Sequence, residues 1–201
     1  MSLLLFAPGA GAPSTSDWMT AWASRLSPLG RVVRFDYDYA RERKKRPDRL
    51  PDLVATHRQK LAAARVDGEP VVLVGKSMGG RVGCHVSLVE TVAGVVCFGY
   101  PLVGQGKSKP LRDEVLLAMT TPILFVQGTR DPLSPLDLLE QTREKMRAPS
   151  ELLVVDGGDH SLAIRKRDGA QSDSDARVLS HVAKFVARVC SSTPCAITPF
   201  A

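Results

Sequence analysis

Six short apolar runs punctuate the chain: Leu3 to Phe6, Val32 to Phe35, Val71 to Val74, Val95 to Phe98, Ile123 to Val126 and Leu152 to Val155. Four of them show no polar alternation, and the other two carry little more than Arg34 and a glycine border. Runs of this kind fit parallel strands covered on both faces. Segments of helical period lie between them. Trp18, Trp22 and Leu26 follow Ser14 and Asp17, which have capping-box spacing, and Leu50, Leu53, Val54, His57, Leu61 and Ala64 form a second apolar stripe. Ser134-Pro135-Leu136-Asp137 is expected to start a third helix, with proline at its first position. Val178, Leu179, Val182, Phe185, Val186 and Val189 form the apolar face of the last one. Strand and helix alternate throughout, which predicts an α/β fold with a mostly parallel six-stranded sheet and helices on both faces.

Ligands of such sheets bind beyond the carboxyl ends of the strands, where loops converge and helix N-termini offer N–H groups. Three loops there carry chemistry. The third strand leads into Gly75-Lys76-Ser77-Met78-Gly79, the fifth into Gly128-Thr129-Arg130-Asp131, and the sixth into Asp156-Gly157-Gly158-Asp159-His160. The first matches G-x-S-x-G between a strand and a helix, the context in which a strained turn projects a serine hydroxyl out of the sheet. Gly75-Lys76-Ser77 also ends like a phosphate-binding loop. That reading fails, because its first glycine would be Pro70 and the residues between are a strand, Val71 to Val74.

A serine hydroxyl needs a base to take its proton, and the base needs an acid to hold its tautomer. His57 lies on an apolar helical stripe, His85 on the helix after the elbow and His181 beside the last helix. His160 is the histidine in a loop directly beyond a strand, which makes it the expected base. Asp131 is the expected acid, giving the chain order Ser77, Asp131, His160. Asp156 and Asp159 are rivals, but their closeness to His160 in sequence makes a productive contact harder. For an oxyanion, the expected donors are the N–H groups of Met78 and Ala10, with Gly9 or Gly11 as alternatives to the latter.

These strings resemble the α/β-hydrolase superfamily, in its compact dienelactone-hydrolase-like branch. Gly75-Lys76-Ser77-Met78-Gly79-Gly80-Arg81, with Gly128-Thr129-Arg130-Asp131 and Gly158-Asp159-His160-Ser161, looks most like the testis-expressed protein 30 family, over about Leu3 to Val189. That group includes a subunit of the nuclear non-specific-lethal acetyltransferase complex, regarded as a scaffold. The resemblance implies the strand order 2-1-3-4-5-6 and supports Ser77, Asp131 and His160 as the catalytic set. It also implies a second function class, a catalytically idle hydrolase fold that serves as a protein-interaction module. One departure stands out: many superfamily members begin the oxyanion loop with His-Gly, where this chain has Pro8-Gly9.

Length and composition bound the remaining choices. A chain of 201 residues with 44% hydrophobic residues buries one core, expected to span 1–190 with a flexible tail at 191–201. Phe98 to Ile123 is too short for a lid domain, so an open site is expected, built from Tyr100 to Lys109 and its surroundings, with Gly9, Lys76 and Tyr100 contacting substrate. The substrate is then a small or exposed acyl group, an ester or thioester. The net charge is +6 and Arg41 to Arg49 holds six basic residues, read first as a solvated loop. Aromatic residues make up only 5%, which argues against nucleic acid. No apolar run reaches membrane-spanning length, and Leu3 to Phe6 lacks the basic flank of a signal peptide. The four cysteines have no metal-ligand spacing, so neither metal nor cofactor is expected. Cys84 and Cys97 read as buried thiols of a protein kept in a reducing, intracellular compartment, and Cys190 and Cys195 as part of a frayed end.

Overall fold

The computed structural model describes residues 1–104 and 110–192. In chain order the elements are β1 (Leu3–Ala7), α1 (Asp17–Leu26), β2 (Arg31–Arg34), α2 (Asp38–Arg41), α3 (Leu50–Ala64), β3 (Val71–Lys76) and α4 (Met78–Val86). There follow β4 (Gly94–Phe98), α5 (Glu114–Ala118), β5 (Ile123–Gly128), α6 (Leu136–Lys145), β6 (Ser150–Val155) and α7 (Gln171–Ser191). The strands form one sheet in the order β2-β1-β3-β4-β5-β6, every neighbouring pair parallel.

Strand side chains alternate between two apolar layers, which is why the central strands need no polar positions. Leu3, Leu5, Leu73, Val95, Cys97, Ile123 and Phe125 pack with α3, α4, α5 and α6, through residues such as Leu61, Val82, Leu116 and Leu139. Leu4, Phe6, Val72, Val74, Val96, Phe98 and Leu124 pack with α1 and α7, through Met19, Trp22, Val182 and Phe185. Both layers exclude water from the sheet, and this burial is the main stabilising term of the fold.

At the strand entrances, Pro70, Pro122 and Pro149 each stand just before a strand. Their carbonyls accept the N–H groups of Leu3, Val95 and Ile123, each at 2.9 Å, while their own rings donate nothing and end the ladder there.

Three local expectations are corrected. The Ser14–Asp17 capping box does not form: Ser16 occupies the cap position without a side-chain bond, and Ser14 instead bonds through N and Oγ to the Asp36 carboxylate at 2.6 and 3.0 Å. Pro135 takes the cap position of α6 instead of its first turn, and the buried Ser134 hydroxyl has no partner. Strand β2 ends at Arg34, leaving Phe35 buried just beyond it. α7 continues to Ser191, so the expected tail begins on this helix, and its remainder, 193–201 with Cys195, lies outside the described residues. Between β4 and β5 the described residues carry α5 and one isolated bridge, Val103 to Leu111. The expected substrate loop from Tyr100 to Lys109 is described only as far as residue 104.

Candidate active site

The elbow follows from three close approaches. A Cβ on Gly75 would lie 2.1 Å from the Gly80 nitrogen, one on Gly79 2.5 Å from the Ala7 oxygen, and one on Gly80 2.8 Å from the Cys97 sulfur. Only glycine lets β3, β1, β4 and the start of α4 come this near. The squeezed turn leaves Ser77 at φ 50° and ψ −115°, a conformation that costs a non-glycine residue on the order of 1–3 kcal/mol. Its N–H is bound to the Phe98 carbonyl at 2.9 Å, which anchors the turn to β4.

Ser77, His160 and Asp131 come together in one line. His160 Nε2 stands 2.8 Å from Ser77 Oγ, and its Nδ1 2.7 Å from Asp131 Oδ2. The Asp131 side chain is fully buried, and both of its oxygens are used: Oδ2 also accepts Gln127 Nε2 at 2.6 Å, and Oδ1 accepts the Leu133 N–H at 2.9 Å. Burial pushes the Asp131 carboxyl up, but the hydrogen bonds from His160, Leu133 and Gln127 and the His160 charge outweigh it and leave the pKa below the ordinary carboxylate range. Such a carboxylate fixes the imidazole with a proton on Nδ1, freeing Nε2 to accept from the hydroxyl.

The rival acids are spent on the turn. Asp159 Oδ1 accepts the N–H groups of Ser161 and Ala163 at 2.7 and 3.0 Å, and Asp156 Oδ1 accepts that of Gly157 at 3.0 Å. Of the other histidines, His57 is fully buried, bonded to the Tyr37 hydroxyl at 3.1 Å, and burial lowers its pKa to about 3. His85 Nε2 is buried without a partner, and His181 stands 3.4 Å from Glu151.

Lys76 and Trp18 grip the loop that carries His160. Lys76 Nζ donates to the His160 carbonyl and lies 5.2 Å from the centre of the Trp18 ring, while Trp18 Nε1 donates to the Ser161 carbonyl at 2.9 Å. Burial lowers the Lys76 pKa to about 8, against the opposing pull of Asp131 and Asp159. Gly99, at φ +66°, lies beneath the same loop, where a Cβ would come within 2.8 Å of the His160 carbonyl.

Among the described residues, Ser77 borders a larger and a smaller cavity. The larger, about 560 Å³, is lined by Gly9, Ala10, Trp18, Lys76 and His160 among others. The smaller, about 310 Å³, is lined by Ala10, Leu53, Met78, Arg81, Arg112 and neighbours. Ala10 borders both, and its carbonyl accepts the Tyr39 hydroxyl at 3.4 Å. Met78 heads α4, so its N–H has no helical acceptor. Tyr100 is not brought to the site: it is fully buried against Phe125, and its hydroxyl donates to the Arg112 carbonyl at 2.7 Å. The expected contact fails because Gly99, with positive φ, turns the chain back into the core. Among the described residues, no group of His, Cys, Asp or Glu side chains is placed to hold a metal ion, and no helix is long and apolar enough to cross a membrane.

Sequence reasoning did not find Gln127, Leu133, Trp18 or Gly99. A polar Gln127 at the end of a strand otherwise apolar, Ile123 to Val126, was a signal for the first. A glycine directly after buried Phe98 was a signal for the last.

Comparison with solved structures finds the same architecture at low identity. Est1E from Butyrivibrio proteoclasticus superposes with a TM-score of 0.67 at 14% identity, over 95% of this chain and 89% of that one. The RedJ thioesterase of the prodiginine pathway in Streptomyces coelicolor gives 0.67 at 17%, over 92% and 90%. Mouse alpha/beta hydrolase domain-containing protein 10 gives 0.68 at 15%, over 93% and 90%. Identities this low speak for the fold alone. The sequence itself matches the alpha/beta hydrolase domain family model across residues 1–190, and the chain belongs to that family.

Proposed function

We propose that the protein is a serine hydrolase that cleaves a small or exposed ester or thioester through a covalent acyl-enzyme. The observation that carries this reading is the continuous line from Ser77 Oγ through His160 to Asp131, at 2.8 and 2.7 Å. Ser77 Oγ attacks the acyl carbon while His160 Nε2 takes its proton. The oxyanion is received by the N–H groups of Met78 and Ala10. The bond to the leaving oxygen or sulfur then breaks, and His160 returns the proton to it. Water repeats the sequence on the acyl-enzyme: His160 accepts its proton, the acid is released and Ser77 regains its hydrogen. Gln127 and the Leu133 N–H act through Asp131, as positioning groups that keep the imidazole aligned.

Within the family, the string from Gly75 to Arg81 supports a place beside the testis-expressed protein 30 branch. The experiment is labelling of purified protein with a fluorophosphonate probe, beside Ser77→Ala and His160→Ala. Labelling of the wild type that both substitutions abolish is expected. An unlabelled wild type, or a label that survives in Ser77→Ala, would leave an idle fold used for protein interaction as the better reading.

A further inference from the structure

The two cavities at Ser77 differ in the state of their cations. In the larger, Lys45 is exposed and the Lys76 ammonium is occupied by the His160 carbonyl and the Trp18 ring. In the smaller, Arg81 and Arg112 share a space walled by Leu50, Leu53, Met78 and Leu133. Arg81 is tied to the elbow itself, because its N–H binds the Ser77 carbonyl at 3.1 Å. Its Nη2 meets the exposed Glu114 carboxylate at 3.3 Å, but its Nε is shut off from water and has no partner.

Arg112 is fixed through its backbone, its N–H on the Leu102 carbonyl at 2.8 Å and its carbonyl receiving the Tyr100 hydroxyl at 2.7 Å. Its guanidinium makes no hydrogen bond or ion pair with a described residue. Burial, and then the Arg81 charge, lower its pKa from the ordinary arginine value. Two guanidiniums in a partly dry cavity repel each other and leave strong donors unused until an anion joins them.

We propose that this cavity is a carboxylate subsite: one arm of the substrate ends in a carboxylate held between Arg112 and Arg81, which places the scissile carbonyl at Ser77. The assignment rests on the hydrolase reading for what happens at Ser77, but not for the binding. A monoanion fits better than a dianionic phosphate. Asp48 also lines the cavity and Glu114 offsets part of the Arg81 charge, so no more than about one positive charge is left to be matched. The volume, about 310 Å³, suits a short acid arm and leaves the larger cavity for the rest of the molecule.

The test uses Ser77→Ala protein, which cannot turn substrate over, and calorimetric binding of monoethyl glutarate against diethyl glutarate at fixed ionic strength. The monoacid is expected to bind at least about 10-fold tighter, in line with a charge-assisted pair. Adding Arg112→Gln is expected to erase the preference, and Arg81→Gln to weaken it. Arg112→Glu is expected to reverse it towards ethyl 4-aminobutyrate, a result that mere unfolding cannot produce. Equal affinities for the two glutarates, binding of neither, or a preference that survives Arg112→Gln overturns the subsite. Since nothing in this measurement depends on turnover, failed fluorophosphonate labelling would sink the hydrolase reading and leave this result to stand or fall separately.

Discussion

The turn that carries Ser77 and the loop that carries His160 meet across one hydrogen bond, yet they are held by opposite means. The elbow is fixed by exclusion: Gly75, Gly79 and Gly80 let backbone approach backbone so closely that no side chain fits. The histidine loop is fixed by polar attachment, through Lys76 on the His160 carbonyl, Trp18 on the Ser161 carbonyl and Asp159 on two N–H groups of its own turn. A steric joint fails all at once when an atom is added, whereas a set of polar ties weakens by increments. The placement of Ser77 should therefore be all-or-none under mutation, and that of His160 adjustable.

The largest expected effect breaks the steric side. In Gly75→Ala the new methyl would sit 2.1 Å from the Gly80 nitrogen, and the α4 backbone has nowhere to move. A loss of about 4 kcal/mol or more is expected, read as a collapse of the urea midpoint. A variant that keeps its midpoint would show that the elbow has slack and remove the contrast.

The next effect sharpens the polar side. Lys76 has a pKa of about 8 in the folded protein against 10.5 ordinarily, so the unfolded chain binds the extra proton between those values. Stability should then rise with pH from about 8 to 10.5, because the folded state is relieved of a charge it holds poorly. The rise is at most about 3 kcal/mol and should be missing in Lys76→Met when urea unfolding is followed across that range. Identical pH profiles for the two proteins would mean that Lys76 does not hold the loop in its charged, desolvated form.

The smallest effect is that of Trp18→Phe, which keeps a ring near Lys76 but removes the donor to Ser161. A cost of about 1 kcal/mol to loop placement is expected, read as a severalfold slower fluorophosphonate labelling of Ser77. An unchanged labelling rate would make the tryptophan a wall of the cavity and nothing more.

The same contrast governs what could be read from the chain. The central strands were legible because burial on both faces leaves few polar positions to confuse the pattern, and the elbow because its close approaches admit only glycine at three positions within six residues. The meeting of Ser77, Asp131 and His160 was legible because each lies in the loop or turn that follows a strand on the same rim. Trp18 and Lys76 were not legible as a clamp, since their partners lie 143 and 84 residues away and are backbone carbonyls that no sequence pattern marks. Ser14 and Tyr100 failed for a related reason. Local spacing favoured a cap and a substrate contact, and tertiary partners, Asp36 and the Arg112 carbonyl, claimed them instead.

Because all six strands run the same way, the proline-bound entrances lie a full strand length, roughly 17–20 Å, from Ser77. A resin or carrier coupled at that end would present every molecule with the Ser77 rim outward, and an added peptide there would grow away from that rim. The protein has one end by which it can be gripped and another, the Ser77 rim, that is left free.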